Sequence, residues 1–206
     1  MNMKNFERLD AFLKQVNSDI YPEPSSDIHN AITGQVLNLL IENGQLKSGA
    51  RVLDIGCGQG VALEIFKQHG MPATGITLGA DLEVCLSKGF DVREMDMARL
   101  EFGDEKFDFI WCRHALEHSI YPFFTLAEFH RLLKDDGRLY VEVPAPDTVC
   151  HHETNPNHYS VLGLSMWRSL FHRANFTEEW AKDLNFTVPA GPDTYWSFLL
   201  KPAAKP

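Results

Sequence analysis

From Arg51 onward, short β-rich runs alternate with segments of helical periodicity, and this alternation limits the possible folds more than any other feature of the chain. "RVLDIG" leads into "VALEIFKQHG" and "ATGITL" into "ADLEVCLSKG". "DVREMD" and "FDFIWC" then precede the helical "FFTLAEFHRLLKDDG" and the strand "RLYVEVP". The strands are near-continuously apolar, as strands covered on both faces are, and Gly70 and Gly89 stand where a helix C-terminal glycine belongs. A further helix, "SMWRSLFHRANF", is followed by "TEEWAKDL" and "DTYWSFLLKP" around the turn-prone "PAGPD". The expected fold is α/β: a doubly wound, mostly parallel seven-stranded sheet closed by an antiparallel strand pair.

Two helices are expected before the first strand. Phe6, Leu9, Phe12, Leu13 and Val16 recur at helical spacing, "SDIYPEPSSD" interrupts, and Ser26 or Asp27 can cap a second helix that ends near Asn43 and Gly44. With 206 residues and 44% hydrophobic content, one domain is the expectation, with residues 1–48 as N-terminal helices or a lid and residues 49–201 as the core. No apolar run reaches the roughly 18 residues of a membrane span, so no membrane association is expected. Four widely spaced cysteines form no CxxC pair, which fits a reducing cytoplasm rather than a disulfide scaffold. A formal net charge of -9, with no basic run, disfavours a nucleic-acid partner. Oligomeric state is not readable.

"VLDIGCGQGV" passes straight from strand to helix, and its glycines present bare backbone N–H groups to a ligand. A dinucleotide loop reads G-x-G-x-x-G/A, whereas here Gly60 comes one position early and Val61 stands where a small residue is wanted. Asp54, two residues before Gly56, would repel a pyrophosphate but suits a cationic ligand. These residues argue for a ligand with positive charge and no phosphates.

"VLDIGCGQG" resembles the cofactor loop of class I S-adenosylmethionine-dependent methyltransferases. The resemblance continues through "MDMARLEF", "KFDFIWCRHALEHS", "FHRLLKDDGRLYVEVPAP" and "HYSVLGLSMWRSLFHRANF", and so covers residues 50 to 176 and the small-molecule branch of that superfamily. It implies a Rossmann-like methyltransferase fold and S-adenosylmethionine as cofactor. By that resemblance Asp54, Gly56, Cys57, Gly58 and Gly60 border the methionine and ribose part, Asp96 meets the adenine amino group with Met97 beside the ring, and Cys112 to His114 line the methyl-donor side. One departure concerns the end of the second strand, where an acidic residue usually holds the ribose. Thr77, followed by Leu78, stands there, leaving the contact to Asp81 or to backbone groups.

Methyl transfer to a hydroxyl or amine needs an aligned acceptor and a base. "CRHALEHS" offers Arg113, His114 and His118, with His114 the better candidate base. His118 is either a second base or a tie to the next segment, and Arg113 binds an anion or pairs with Glu117. If the stretch is helical, His114 and His118 share a face. Tyr21 and His29, near the N-terminal break, and His151, His152 and His158, in the loop after the last parallel strand, are candidate substrate contacts. The loop histidines match no zinc spacing, so no metal is expected. The expected function is methyl transfer to O, N or C of a small molecule. The alternatives are a non-catalytic S-adenosylmethionine-binding module and a nicotinamide oxidoreductase, the latter opposed by Val61 and by the missing acid at Thr77.

Overall fold

A computed structural model of the chain describes residues 3–18, 26–103 and 106–203. Its helices are α1 (Met3–Ser18), α2 (Asp27–Glu42), α3 (Val61–Gln68), α4 (Ala80–Ser87), α5 (Pro122–Leu132) and α6 (Leu164–Arg173). Its strands are β1 (Val52–Ile55), β2 (Ala73–Thr77), β3 (Asp91–Glu94), β4 (Phe107–Arg113), β5 (Leu133–Pro144), β6 (Phe176–Val188) and β7 (Gly191–Pro202).

The strands form one seven-stranded sheet in the order β3-β2-β1-β4-β5-β7-β6. The five strands from β3 to β5 run parallel, and β7 is antiparallel to both β5 and β6. Alternation along each strand splits the core in two. Leu53, Ile55, Ile110, Cys112, Val141 and Phe198 pack with Phe129 of α5 and Trp167 of α6. Val52, Phe109, Trp111, Tyr140 and Leu199 pack with Leu37 and Leu40 of α2 and Phe66 of α3. Strand order reverses between β1 and β4, whose adjacent C-terminal ends, Ile55 beside Cys112, open the crevice where such sheets bind ligands.

Of the N-terminal helices or lid expected over residues 1–48, α2, capped by Ser26, buries Leu37 and Leu40 completely and so packs into the core. Two expectations need correction. On α1 only Leu13 is buried among the predicted apolar positions, while Phe6 and Phe12 are 54% and 47% exposed, so the helix does not pack a broad face on the sheet. The third helix of the parallel region ends at Leu132, not Gly137, because Leu133 turns extended and pairs with Phe107 of β4. Gly137 fits there because a Cβ would come within 3.2 Å of the Asp108 carbonyl. Among the described residues, no helix is long and apolar enough to cross a membrane.

Candidate functional site

At the crevice, a cavity of about 340 Å³ lies between the loop after β1, the ends of β2 and β4, α1 and the start of α2. That volume is in the range of small-molecule sites. Its floor is the glycine loop, where Gly56, Gly58 and Gly60 all have positive φ. Gly60 also caps α3 at φ +85°, and a Cβ there would meet the Phe90 ring at 2.7 Å. Gly60→Ala is expected to cost about 2–4 kcal/mol, because it combines left-handed strain with overpacking against a ring. Chemical denaturation checks this, and an unchanged midpoint would mean that the loop accommodates a side chain.

Asp54 projects from the middle of β1 and is 1% exposed, and its Oδ2 has no hydrogen-bond partner among the described residues. Burial without a counter-charge pushes its carboxyl up to about 8. A buried unpaired acid at the wall of a ligand cavity is costly unless a ligand completes it, and the group that completes a carboxylate is a cation or hydrogen-bond donor. The ammonium of a methionine moiety supplies both, so the donor set fits S-adenosylmethionine on the geometry of this chain.

Other predicted cofactor residues converge on the same cavity: Cys57, Thr77, Leu78, Asp96 and Met97 line it, as does Asp81 at the start of α4. Asp81 Oδ2 would lie 3.9 Å from a Cβ on Gly58, which puts a carboxylate across from the loop where the expected acid of β2 is missing. Asp96 is already engaged: Oδ1 accepts from the Ala98 amide at 2.7 Å and Oδ2 from Asn17 Nδ2 of α1 at 2.9 Å. With the Asp10–Arg99 ion pair at 2.6 Å, this bond draws α1 over the Asp96 end of the cavity. Cys112 is the exception. Strand alternation turns it into the opposite core layer, fully buried, while Trp111 and Arg113 face the cavity side.

Arg113 and His114 leave β4 together, but Arg113 pairs with Glu142 of β5 rather than with Glu117. Its Nε lies 2.8 Å from Glu142 Oε1 in an ion contact without hydrogen-bond alignment, and its Nη1 donates to Thr33 Oγ1 at 3.1 Å. His114 Nε2 lies 2.8 Å from the same carboxylate oxygen, and Tyr140 donates to Oε2 at 2.5 Å. Burial tends to raise the Glu142 carboxyl, but the His114 hydrogen bond and the Arg113 charge more than offset it, so it titrates below the usual range. His114 moves down to about 3, by burial first and the Arg113 charge second. The imidazole is therefore neutral at pH 7. With Nε2–H donated to Glu142, Nδ1 keeps the lone pair, a tautomer assigned from the hydrogen-bond network.

His114 sits at φ 51°, outside any helix, so His114 and His118 do not share a helical face; only Leu116–His118 form a 3-10 turn. Tyr195 stacks on the His114 ring at 4.1 Å, and His29 meets it edge-on at 5.0 Å. His29 and His118 line the cavity, and His118 Nδ1 also ties to the Asn157 carbonyl at 2.9 Å.

Of the remaining substrate candidates, Tyr21 lies outside the described residues. His151 is solvent-exposed, 3.5 Å from Glu153, and does not line the cavity. His152 binds Asp193, and His158 Nδ1–H donates to the His152 carbonyl at 2.9 Å. Both stand behind the wall formed by His118, Asn157 and Tyr159. Sequence reasoning missed Glu142, Tyr140, Tyr195 and Asn17. For Glu142 a signal existed, a lone carboxylate inside the buried strand "RLYVEVP", two positions from a tyrosine on the same face.

Residues 28–190 match the family described as methyltransferase domain. An uncharacterized methyltransferase of Bacillus subtilis, YcgJ, is 28% identical over 67% of this chain and 61% of its own length. Its crystal structure covers 84% of this chain and 100% of its own, with a TM-score of 0.67 at 20% identity. A ubiquinone biosynthesis O-methyltransferase of Pseudomonas aeruginosa is 34% identical over 46% of this chain and 44% of its own length. The structure of a SAM-dependent methyltransferase from Archaeoglobus fulgidus shares the fold, with a TM-score of 0.65 at 20% identity over 82% of this chain and 94% of its own. The chain thus spans about half to three-fifths of the length of the curated relatives it matches. By its matched domain, sheet order and glycine loop, the chain belongs to the methyltransferase-domain family, with the class I fold of S-adenosylmethionine-dependent enzymes.

Proposed function

We propose that the chain transfers a methyl group from S-adenosylmethionine to a small-molecule acceptor, with His114 as the base at the acceptor. The buried carboxyl of Asp54, whose Oδ2 has no partner among the described residues, lies in the same cavity as a neutral His114 and carries this reading. Asp54 would hold the ammonium, the backbone of Gly56 to Gly60 the methionine and ribose part, Thr77 and Asp81 the ribose hydroxyls, and Asp96 with Met97 the adenine. When bound, the cofactor supplies a methyl group made electrophilic by its sulfonium.

The chain's own residues position the acceptor and take its proton. His114 offers the Nδ1 lone pair, and the ring is fixed on both sides, by Tyr195 stacking and by the Nε2–H bond to Glu142. When Nδ1 takes a proton, the adjacent carboxylate stabilises the imidazolium, as a buried carboxylate does behind a catalytic imidazole. Arg113 works through Glu142 and is a positioning residue rather than an anion trap. The relative named for O-methylation supports an oxygen acceptor among O, N and C. The full chain is read as one domain in a reducing cytoplasm, with no nucleic-acid partner.

A labelled-methyl assay over phenol, amine and carbon-acid panels tests the reading. His114→Ala is expected to lower kcat by about 10²–10⁴-fold with cofactor affinity little changed. Cofactor binding without turnover on any acceptor would instead favour a binding module, and wild-type turnover in the variant would remove His114 as base.

A further inference from the structure

Cys150, His152 and Asp193 bring a thiol, an imidazole and a carboxylate to one point, with their ligand atoms all within 4.8 Å of one another. Cys150 and His152 flank His151, whose left-handed backbone at φ 48° bends the loop between them. Asp193, at the start of β7, is 3% exposed. Its Oδ1 and Oδ2 lie 3.1 and 3.0 Å from His152 Nε2, and the Thr194 amide donates to Oδ1 at 2.9 Å, fixing the carboxylate. Among the described residues, no Lys or Arg pairs with this buried acid.

We propose that these three side chains form a zinc site, with water as the fourth ligand. A sulfur, nitrogen and oxygen donor set matches Zn²⁺, whereas Mg²⁺ and Ca²⁺ prefer all-oxygen shells. Zinc bonds of about 2.0–2.3 Å place tetrahedral ligand atoms roughly 3.3–3.7 Å apart, within reach of the present spacing by small side-chain rotations. On binding, the Cys150 thiol gives its proton to solvent and the metal stays Zn²⁺ throughout.

The site would clip the loop after β5 to β7, and its effect reaches the methyl-transfer cavity through two hydrogen bonds. The His152 carbonyl holds His158 Nδ1 at 2.9 Å, and the Asn157 carbonyl holds His118 Nδ1 at the same distance. Asn157 and Tyr159 line the cavity, so a metal at Cys150 would fix one of its walls without touching the reacting groups. A second cluster, Glu117, His118 and His158, lies nearby with no sulfur, which makes the two distinguishable by spectroscopy.

The experiment titrates the chelator-stripped full chain with Co²⁺ and then Zn²⁺. One Co²⁺ per chain is expected, with a near-ultraviolet thiolate-to-cobalt band that Zn²⁺ abolishes by displacement. Cys150→Ser should remove the band and weaken Zn²⁺ binding at least about 10-fold, Asp193→Asn should weaken it similarly, and His118→Gln should change neither. Cys150 sits on a partly exposed loop, so its variant keeps the test open if Asp193→Asn misfolds. Cobalt binding without the thiolate band, binding that survives Cys150→Ser but fails in His118→Gln, or no stoichiometric binding would each overturn the proposal.

Discussion

Replacing Asp54 with Asn is expected to stabilise the cofactor-free protein at pH 8 by about 1–3 kcal/mol, because it removes a carboxyl that ionises in the core, and to weaken S-adenosylmethionine binding by about 2–5 kcal/mol, roughly 30- to several-thousand-fold. The opposite signs follow from one observation, a buried carboxyl whose Oδ2 has no hydrogen-bond partner among the described residues. Its folded pKa, about 8, lies above the ordinary aspartate value of 3.8, so between these values the native state keeps a proton that the unfolded chain has released. Stability from this group is therefore present below about pH 4 and falls as pH rises towards 8. His114 acts the other way: depressed to about 3 from 6.5, it costs stability as pH falls below 6.5. Between pH 6.5 and 8 only the Asp54 slope remains, and there thermal unfolding of wild type should decline while Asp54→Asn stays flat. Pairing with the ligand ammonium lowers the Asp54 pKa, so binding should release a proton and tighten as pH rises to about 8. Calorimetry in buffers of different ionisation enthalpy reads this directly. A variant that binds as tightly as wild type would show that Asp54 does not face the ammonium.

The layered sheet and the glycine loop were legible because both depend on local signals. Apolar runs of strand length, glycines at helix ends and the spacing Gly56, Gly58, Gly60 each state their own conformation. What could not be read depends on residues far apart in sequence. Spacing alone offers Arg113 the acid Glu117, four positions on, yet its partner is Glu142, placed beside it only by the β4–β5 register. Cys112 failed for a simpler reason: facing is set by strand parity, and the parity of β4 was readable from Ile110 and Trp111 only once the two core layers were known. The apolar stripe of α1 misled because its polar residues, Asp10 and Asn17, set its contacts while Phe6 and Phe12 remain exposed.

Glu142→Ala should lower stability by about 3–5 kcal/mol, since it leaves the Arg113 guanidinium buried and unpaired, and for a chain of this size that is a fall in melting temperature of roughly 6–20 °C. Glu142 is fully buried and accepts from His114 and Tyr140 while pairing with Arg113, so three neighbours lose their partner together. Removing both charges costs less than removing one: Glu142→Leu combined with Arg113→Met should recover much of the loss, because no unpaired ion remains in the core. Turnover should not return with it. In the double variant nothing holds the His114 Nε2–H, the ring is free to change tautomer, and a neutral imidazole without its carboxylate is a poorer proton acceptor. The pair of measurements therefore separates two roles that a single substitution merges. If melting temperature and kcat recover together, the cluster is a folding element only; if melting temperature recovers and kcat stays low, Glu142 orients the base, which is what its position between Arg113, His114 and Tyr140 implies.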